Sequence, residues 1–131
     1  MSGTHPVTAP VSEAARQWTL VCRVDDIAPL GARRVARAHA ADVAVFRNAA
    51  DQVYALLDRC PHKGGPLSQG IVTADGVTCP LHSWTIGLSD GCARAPDQGC
   101  TPRFAVKVEA GCVWLDAEEL RLHGLATIPA T

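Results

Sequence analysis

Two short segments of this 131-residue chain carry side chains suited to holding a metal. The first is Cys60-Pro61-His62-Lys63-Gly64-Gly65 and the second is Cys79-Pro80-Leu81-His82-Ser83-Trp84. Each supplies one thiol and one imidazole, beside a proline that stiffens the loop before any metal arrives. Thiolates and imidazoles are ligands for zinc and for iron–sulfur centres alike. Between His62 and Cys79 lie 16 residues containing Asp75-Gly76, a strong tight-turn signal. A hairpin of that length returns the second segment opposite the first. Four ligands, Cys60, His62, Cys79 and His82, then converge from two loop tips. Glycines at 64 and 65 would let backbone N–H groups approach a bound sulfide without a Cβ in the way.

Structural zinc sites keep like ligands together, as Cys-x2–4-Cys followed by His-x3–5-His. Here each loop gives one of each, which is the arrangement of a [2Fe–2S] centre with two histidines in place of two cysteines on one iron. Zinc in the same ligands, or two unrelated Cys-His pairs, are the rival readings. Two thiolates bring the oxidised iron–sulfur site to neutrality, where four would leave it doubly negative. An added electron is therefore easier to accept, and the potential rises above that of four-cysteine ferredoxins.

Short strands must position these loops. Alternating or apolar runs at 18–22, 42–47, 52–58, 71–72, 77–78, 85–88, 103–108 and 112–115 read as β, with turn residues between them. In the 103–108 run, Phe104, Val106 and Val108 share one face and Lys107 takes the other. Residues 29–41 read as a longer connection, and 117–122 as a terminal helical turn. The organisation predicted is a tail at 1–16, one domain at 17–116 and a tail or short helix at 117–131. Many short strands with turns between them indicate an all-β sandwich or barrel.

Composition sets limits. Twelve basic against 13 acidic side chains leave a formal charge of −1, which gives no electrostatic footprint for nucleic acid and no polybasic face for a membrane. No apolar run of about 18 residues occurs, so a spanning helix is excluded. The first 16 residues lack the apolar stretch of a secretory signal, and the chain is read as cytoplasmic. Of the 47% hydrophobic residues many are Ala, 21 in all, so a metal centre would add usefully to a lean core.

The pattern Cys60-x-His62-x16-Cys79-x2-His82 closely resembles the Rieske family. That resemblance implies an all-β domain of antiparallel sheets with the [2Fe–2S] cluster at one tip between two loops. Members of high potential carry an extra cysteine in each loop, joined as a disulfide, and a tyrosine four residues past the last ligand. Gly65, Leu81 and Ile86 stand at those positions here, which implies a potential toward the low end of the roughly −150 to +300 mV Rieske range. Within the family, the string Cys60 to Gly70, the second loop, and Gly99-Cys100-Thr101-Pro102 resemble the small subunit of assimilatory NAD(P)H-dependent nitrite reductase. That implies an oxidoreductase subunit in nitrate assimilation, relaying electrons or supporting a large flavoprotein partner that holds FAD, a [4Fe–4S] cluster and sirohaem and reduces nitrite to ammonia. The chain itself has no Gly-x-Gly-x-x-Gly fingerprint and no substrate-binding site of its own is expected. A free-standing Rieske ferredoxin serving a ring-hydroxylating oxygenase shares the ligands and the missing disulfide, and is the alternative.

The other chemistry-bearing residues read more plainly. Cys22 and Cys112 fall in strands as small buried residues. A Cys92–Cys100 disulfide is disfavoured by a cytosolic setting. His5, His39 and His123 are solvated rather than metal-bound, and Arg33, Arg34 and Arg37 form a solvated basic face. Trp84 and Trp114 fill the core beneath the loops. Lys63, directly after a ligand, reads first as a solvated loop charge, with docking to an acidic partner surface as the sharper alternative.

Overall fold

A computed structural model describes residues 17–61, 64–81 and 83–123. The expected tail at 1–16, His5 with it, and the part of the expected 117–131 segment beyond 123 lie outside the described residues, as do His62, Lys63 and His82. In chain order the strands are β1 (Trp18–Arg23), β2 (Ala32–Val35), β3 (Val43–Arg47), β4 (Val53–Leu57), β5 (Ile71–Val72), β6 (Gly76–Thr78), β7 (Thr85–Gly87), β8 (Arg103–Phe104), β9 (Val106–Glu109) and β10 (Cys112–Asp116). One helix, α1 (Ala117–Leu122), closes the described chain. The strands form three antiparallel sheets, ordered β1-β10-β9, β2-β3-β4-β8 and β5-β6-β7. The architecture is all-β.

The middle sheet serves two cores. Val43, Val45, Ala55 and Leu57 join Val113 and Leu115 of the first sheet, whereas Ala44, Phe46 and Leu56 join Val77 and Ile86 of the third. Successive side chains of a strand point to opposite faces, so a strand covered on both sides reads as a continuous apolar run. That is why Val43-Ala44-Val45-Phe46 is apolar throughout and buried throughout. Cys60 and Cys79 belong to the second core, beside Leu67, Val72 and Leu88.

Asn48 ties that third sheet to the middle one. It is 2% exposed, accepts the Ala50 and Gln52 N–H groups on Oδ1, and donates from Nδ2 to Gln52 Oε1 and to Ala74 O at 2.8 Å. One side chain thus shapes the β3–β4 turn and pins the β5–β6 turn against it.

Several expectations are corrected. The connection at 29–41 contains β2, whose adjacent Arg33 and Arg34 hide the alternation. Arg33 pairs in register with Val45, and Arg34 with Ala44. The run at 103–108 is two strands in two different sheets. Ala105 lies at the switch, and its N–H is taken by Glu119 Oε1 at 2.7 Å. Trp114 is not under the loops. It stands half-buried on the outer face of the first sheet, where the Lys107 ammonium sits 5.3 Å from its ring and 5.4 Å from that of Trp18. Cys112 alternates onto the same outward side and is only half-buried, while Cys22 is buried and its burial pushes the thiol up from its ordinary pKa.

Arg37 and His123 are not solvated spectators either. Arg37 Nη1 donates to Leu120 O and His123 O, its Nε to Ala41 O, and its guanidinium lies 5.3 Å over the Phe104 ring. His123 packs edge-on against Phe104 with ring centres 4.8 Å apart, and its Nε2 lies 2.9 Å from Arg103 O. The Arg37 bonds to Leu120 O and His123 O satisfy carbonyls that a helix leaves exposed at its end. His39 reaches Arg121 O at 2.7 Å in the same way. At the other end Asp116 accepts from the Glu118 and Glu119 N–H groups and caps α1.

Candidate functional site: two loops closed the same way

The two ligand-bearing segments have one backbone design. In the first loop Cys60 N–H donates to Gly65 O at 2.8 Å, and Gly64 N–H donates to Cys60 O at 2.8 Å. In the second, Cys79 N–H donates to Trp84 O at 2.7 Å, and Ser83 N–H to Cys79 O at 3.0 Å. Each is a six-residue ring begun by a cysteine. The fifth residue of each ring is left-handed, with φ of 75° at Gly64 and 62° at Ser83. Glycine reaches that conformation at no steric cost, whereas a residue with a Cβ is strained there. Gly64 is therefore needed for backbone shape, and its amide is committed to the Cys60 carbonyl rather than left for a bound sulfide.

Ser83 is a conformationally constrained position with no signal in the residue pattern, since only its register with Gly64 gives it meaning. Replacing Ser83 by Gly is expected to stabilise the protein by about 0.5–1 kcal/mol, the relief of a left-handed L-residue less the added freedom of the unfolded chain. Urea unfolding of the two proteins side by side checks this; a destabilised glycine variant would show that the serine side chain has another duty.

The loops meet. A Cβ added to Gly65 would lie 2.8 Å from Leu81 Cδ1 and 3.2 Å from Cys79 Sγ, so residue 65 of one loop touches the thiol of the other. Cys60 and Cys79 are 3% and 2% exposed, while Leu81 beside them is 50% exposed at the surface. Gly70, which ends the stretch after the first loop, runs so close to Thr78 that a Cβ there would overlap its carbonyl oxygen. Among the described residues no third His, Cys, Asp or Glu joins a metal-holding group. His62 and His82 lie outside them. Trp84 packs on the core beneath the loops as expected, and Ile86, at the position of the high-potential members' tyrosine, is fully buried and offers no hydroxyl.

The first loop is anchored from behind. Asp58, two residues before Cys60, accepts the Ser68 N–H at 2.6 Å on one carboxylate oxygen and the Ser68 hydroxyl at 2.7 Å on the other. Arg34 Nε reaches the second oxygen at 3.2 Å. The carboxylate thereby closes the whole span from 58 to 68 across the loop.

Cys92 and Cys100 form a disulfide, contrary to the sequence expectation. They face each other across an antiparallel bridge, flanked by Ala93 N–H to Gly99 O and Thr101 N–H to Gly91 O, both 2.8 Å. Directly opposed residues that exchange no hydrogen bonds bring their side chains closest, and this register sets the pairing. Asp90 stands at the start of the turn. Its carboxyl is held below the ordinary value chiefly by the Cys92 N–H, with a smaller contribution from Arg94.

Known proteins place this geometry. Residues 17–107 match the family model of the Rieske [2Fe–2S] domain. The chain is 36% identical over 103 residues to ferredoxin CarAc of Metapseudomonas resinovorans, covering 78% of this chain and 95% of that one. It is 35% identical to the 4beta-methylsterol monooxygenase of Methylococcus capsulatus across 80% of its own length, but spans only 31% of that larger protein. A solved structure described as an NADH-dependent nitrite reductase small subunit from Mycobacterium tuberculosis superposes with a TM-score of 0.67 at 25% identity, covering 76% of this chain and 94% of that one. No helix among the described residues is long and apolar enough to cross a membrane. With two cysteine-led rings meeting over a buried core, and that match across the domain, the chain belongs to the Rieske [2Fe–2S] family of iron–sulfur electron-transfer domains.

Proposed function

We propose that Cys60, His62, Cys79 and His82 ligate the cluster, and that the chain is the Rieske small subunit of an NAD(P)H-dependent nitrite reductase. The donor set fits the group: two buried thiols, on loops in contact, at a place where even one Cβ would crowd a sulfur. The cluster, when bound, accepts and returns single electrons. The chain's own residues hold the thiols in an apolar surround, with Leu67, Val77 and Ile86 excluding water from beneath and Leu81 laid over Gly65.

One observation supports the nitrite reductase reading above others. The Gly99-Cys100-Thr101-Pro102 segment, which resembles the nitrite reductase small subunits, is packed against the first loop, since a Cβ on Gly99 would lie 3.3 Å from Pro61 Cβ. This segment therefore lies beside the start of the first loop. Co-expression with a flavoprotein and sirohaem large subunit is expected to give a complex that reduces nitrite with NADH or NADPH. Failure to associate with such a subunit would overturn the assignment.

The near full-length similarity to CarAc favours a second reading, a free-standing ferredoxin delivering electrons to a ring-hydroxylating oxygenase. Support of hydroxylation by an oxygenase and its reductase, without binding to the nitrite reductase subunit, would select it.

Both readings share one electrochemical expectation. The two positions that would carry an extra loop disulfide are a glycine and a leucine in contact, and no phenol stands at Ile86. Fewer hydrogen bonds and no covalent link leave the reduced centre less stabilised. Voltammetry of the holoprotein is expected to place the midpoint toward the low end of the roughly −150 to +300 mV range, and a value above about +100 mV contradicts it.

A further inference from the structure

The Cys92–Cys100 hairpin touches the first cluster loop and the strand that leaves the second. On one side Gly87 N–H donates to Cys92 O and Arg94 N–H to Thr85 O, each at 2.8 Å, so residues 92–94 extend the third sheet alongside β7. That strand leaves the second loop directly after Trp84. On the other side Gly99, next to Cys100, rests on Pro61 of the first loop. The disulfide joins these two arms, and it lies outside loops whose facing positions, Gly65 and Leu81, cannot form a disulfide of their own. Cys100 is exposed and Cys92 half-buried, so one sulfur is open to a reductant from solvent.

We propose that the Cys92–Cys100 disulfide is a thiol-exchange site that braces the two cluster loops from outside, and that a dithiol reductant acting there loosens the first loop. A thiolate of the dithiol attacks the exposed Cys100 sulfur, the S–S bond breaks, and Cys92 leaves as a thiolate that takes up a proton. The second thiolate of the reductant then displaces Cys100, which is protonated in turn. The protein gains two electrons and two protons, and the reductant becomes a disulfide. Arg94 and Cys92 stay on β7 through their ladder bonds, whereas the arm carrying Gly99 is left with the hairpin's hydrogen bonds and, three residues on, the Leu57 N–H to Pro102 O bond. Cys22 and Cys112 lie on the far sheet and take no part.

The inference rests on the ligand assignment above for its effect on iron, so its test has two arms. In the first, holoprotein is treated with dithiothreitol, desalted, and exposed to a ferrous chelator while the visible absorbance is followed. Bleaching is expected to be at least fivefold faster than in untreated protein. The double variant Cys92→Ser/Cys100→Ser is expected to bleach at the fast rate and to ignore dithiothreitol. In the second arm, amide hydrogen exchange at Cys60 and Gly64 is measured in iron-free protein, and reduction is expected to speed it at least fivefold. A chain that binds no iron defeats the ligand assignment, and the exchange arm then still decides the brace. Equal bleaching and equal exchange before and after reduction, or a mass that does not rise by two hydrogens on reduction, overturns the proposal.

Discussion

Cys79→Ser is expected to give a folded protein without colour and without a paramagnetic signal after dithionite reduction. The ring around residue 79 is closed by its backbone, through Trp84 O and the Ser83 N–H, and neither bond involves the sulfur. The loop shape should thus outlive the thiol. What goes is one of two thiolates, and a neutral hydroxyl does not replace it in the charge balance of the site. A serine hydroxyl at a position 2% exposed also costs about 1–3 kcal/mol if it finds no partner. Stability contributed by the iron bonds is lost as well. Cys60→Ser should behave alike, whereas Cys112→Ser, on the outer face of the distant sheet, should keep full iron content. Iron retained at the wild-type stoichiometry in Cys79→Ser would refute the ligand assignment.

The second large effect is expected at Asp58. Its side chain is 4% exposed and serves three donors: the Ser68 N–H, the Ser68 hydroxyl and Arg34. Hydrogen bonds to a charged group are worth about 1.5–3 kcal/mol, and an abandoned buried donor costs more than a pair removed together. The Arg34 partner, 47% exposed, contributes little because solvent screens it. Asp58→Ala is therefore expected to lose about 2–4 kcal/mol and to shed iron faster, since the 58–68 span then closes through the Cys60 ring alone. Asp58→Asn keeps one acceptor for the Ser68 N–H and should lose about half as much. Chemical denaturation of all three proteins ranks them; an alanine variant within about 0.5 kcal/mol of wild type would show that the carboxylate anchors nothing.

The pairing of the two cysteine-led loops is legible in the residue types because chemistry dictates them. Cysteine, histidine, glycine and proline at those spacings have few other uses, and the Asp75-Gly76 turn fixed how the loops meet. The middle strands were equally plain, their apolar runs being long enough to span two cores. What stayed hidden depended on register or on partners far away in sequence. Arg33 and Arg34 are exposed, as a basic run implies, but the run does not reveal that Arg34 reaches Asp58 or that both lie on the edge strand of the middle sheet. Nothing in the alternation of 103–108 marks Ala105 as a crossing from one sheet to another, because the pattern continues through it; Glu119 reveals it. The disulfide depends on Cys92 and Cys100 standing opposite each other in a hairpin, which neither compartment nor spacing reveals.

The matched rings suggest how this part of the molecule tolerates change. Their closure uses only main-chain groups at the first, fifth and sixth residues, so the two bonds place no demand on the intervening side chains. An imidazole can accordingly be carried as the third residue in one ring and the fourth in the other without redrawing either outline. The unit is a transferable holder, open to grafting onto another hairpin whose ends lie the same distance apart.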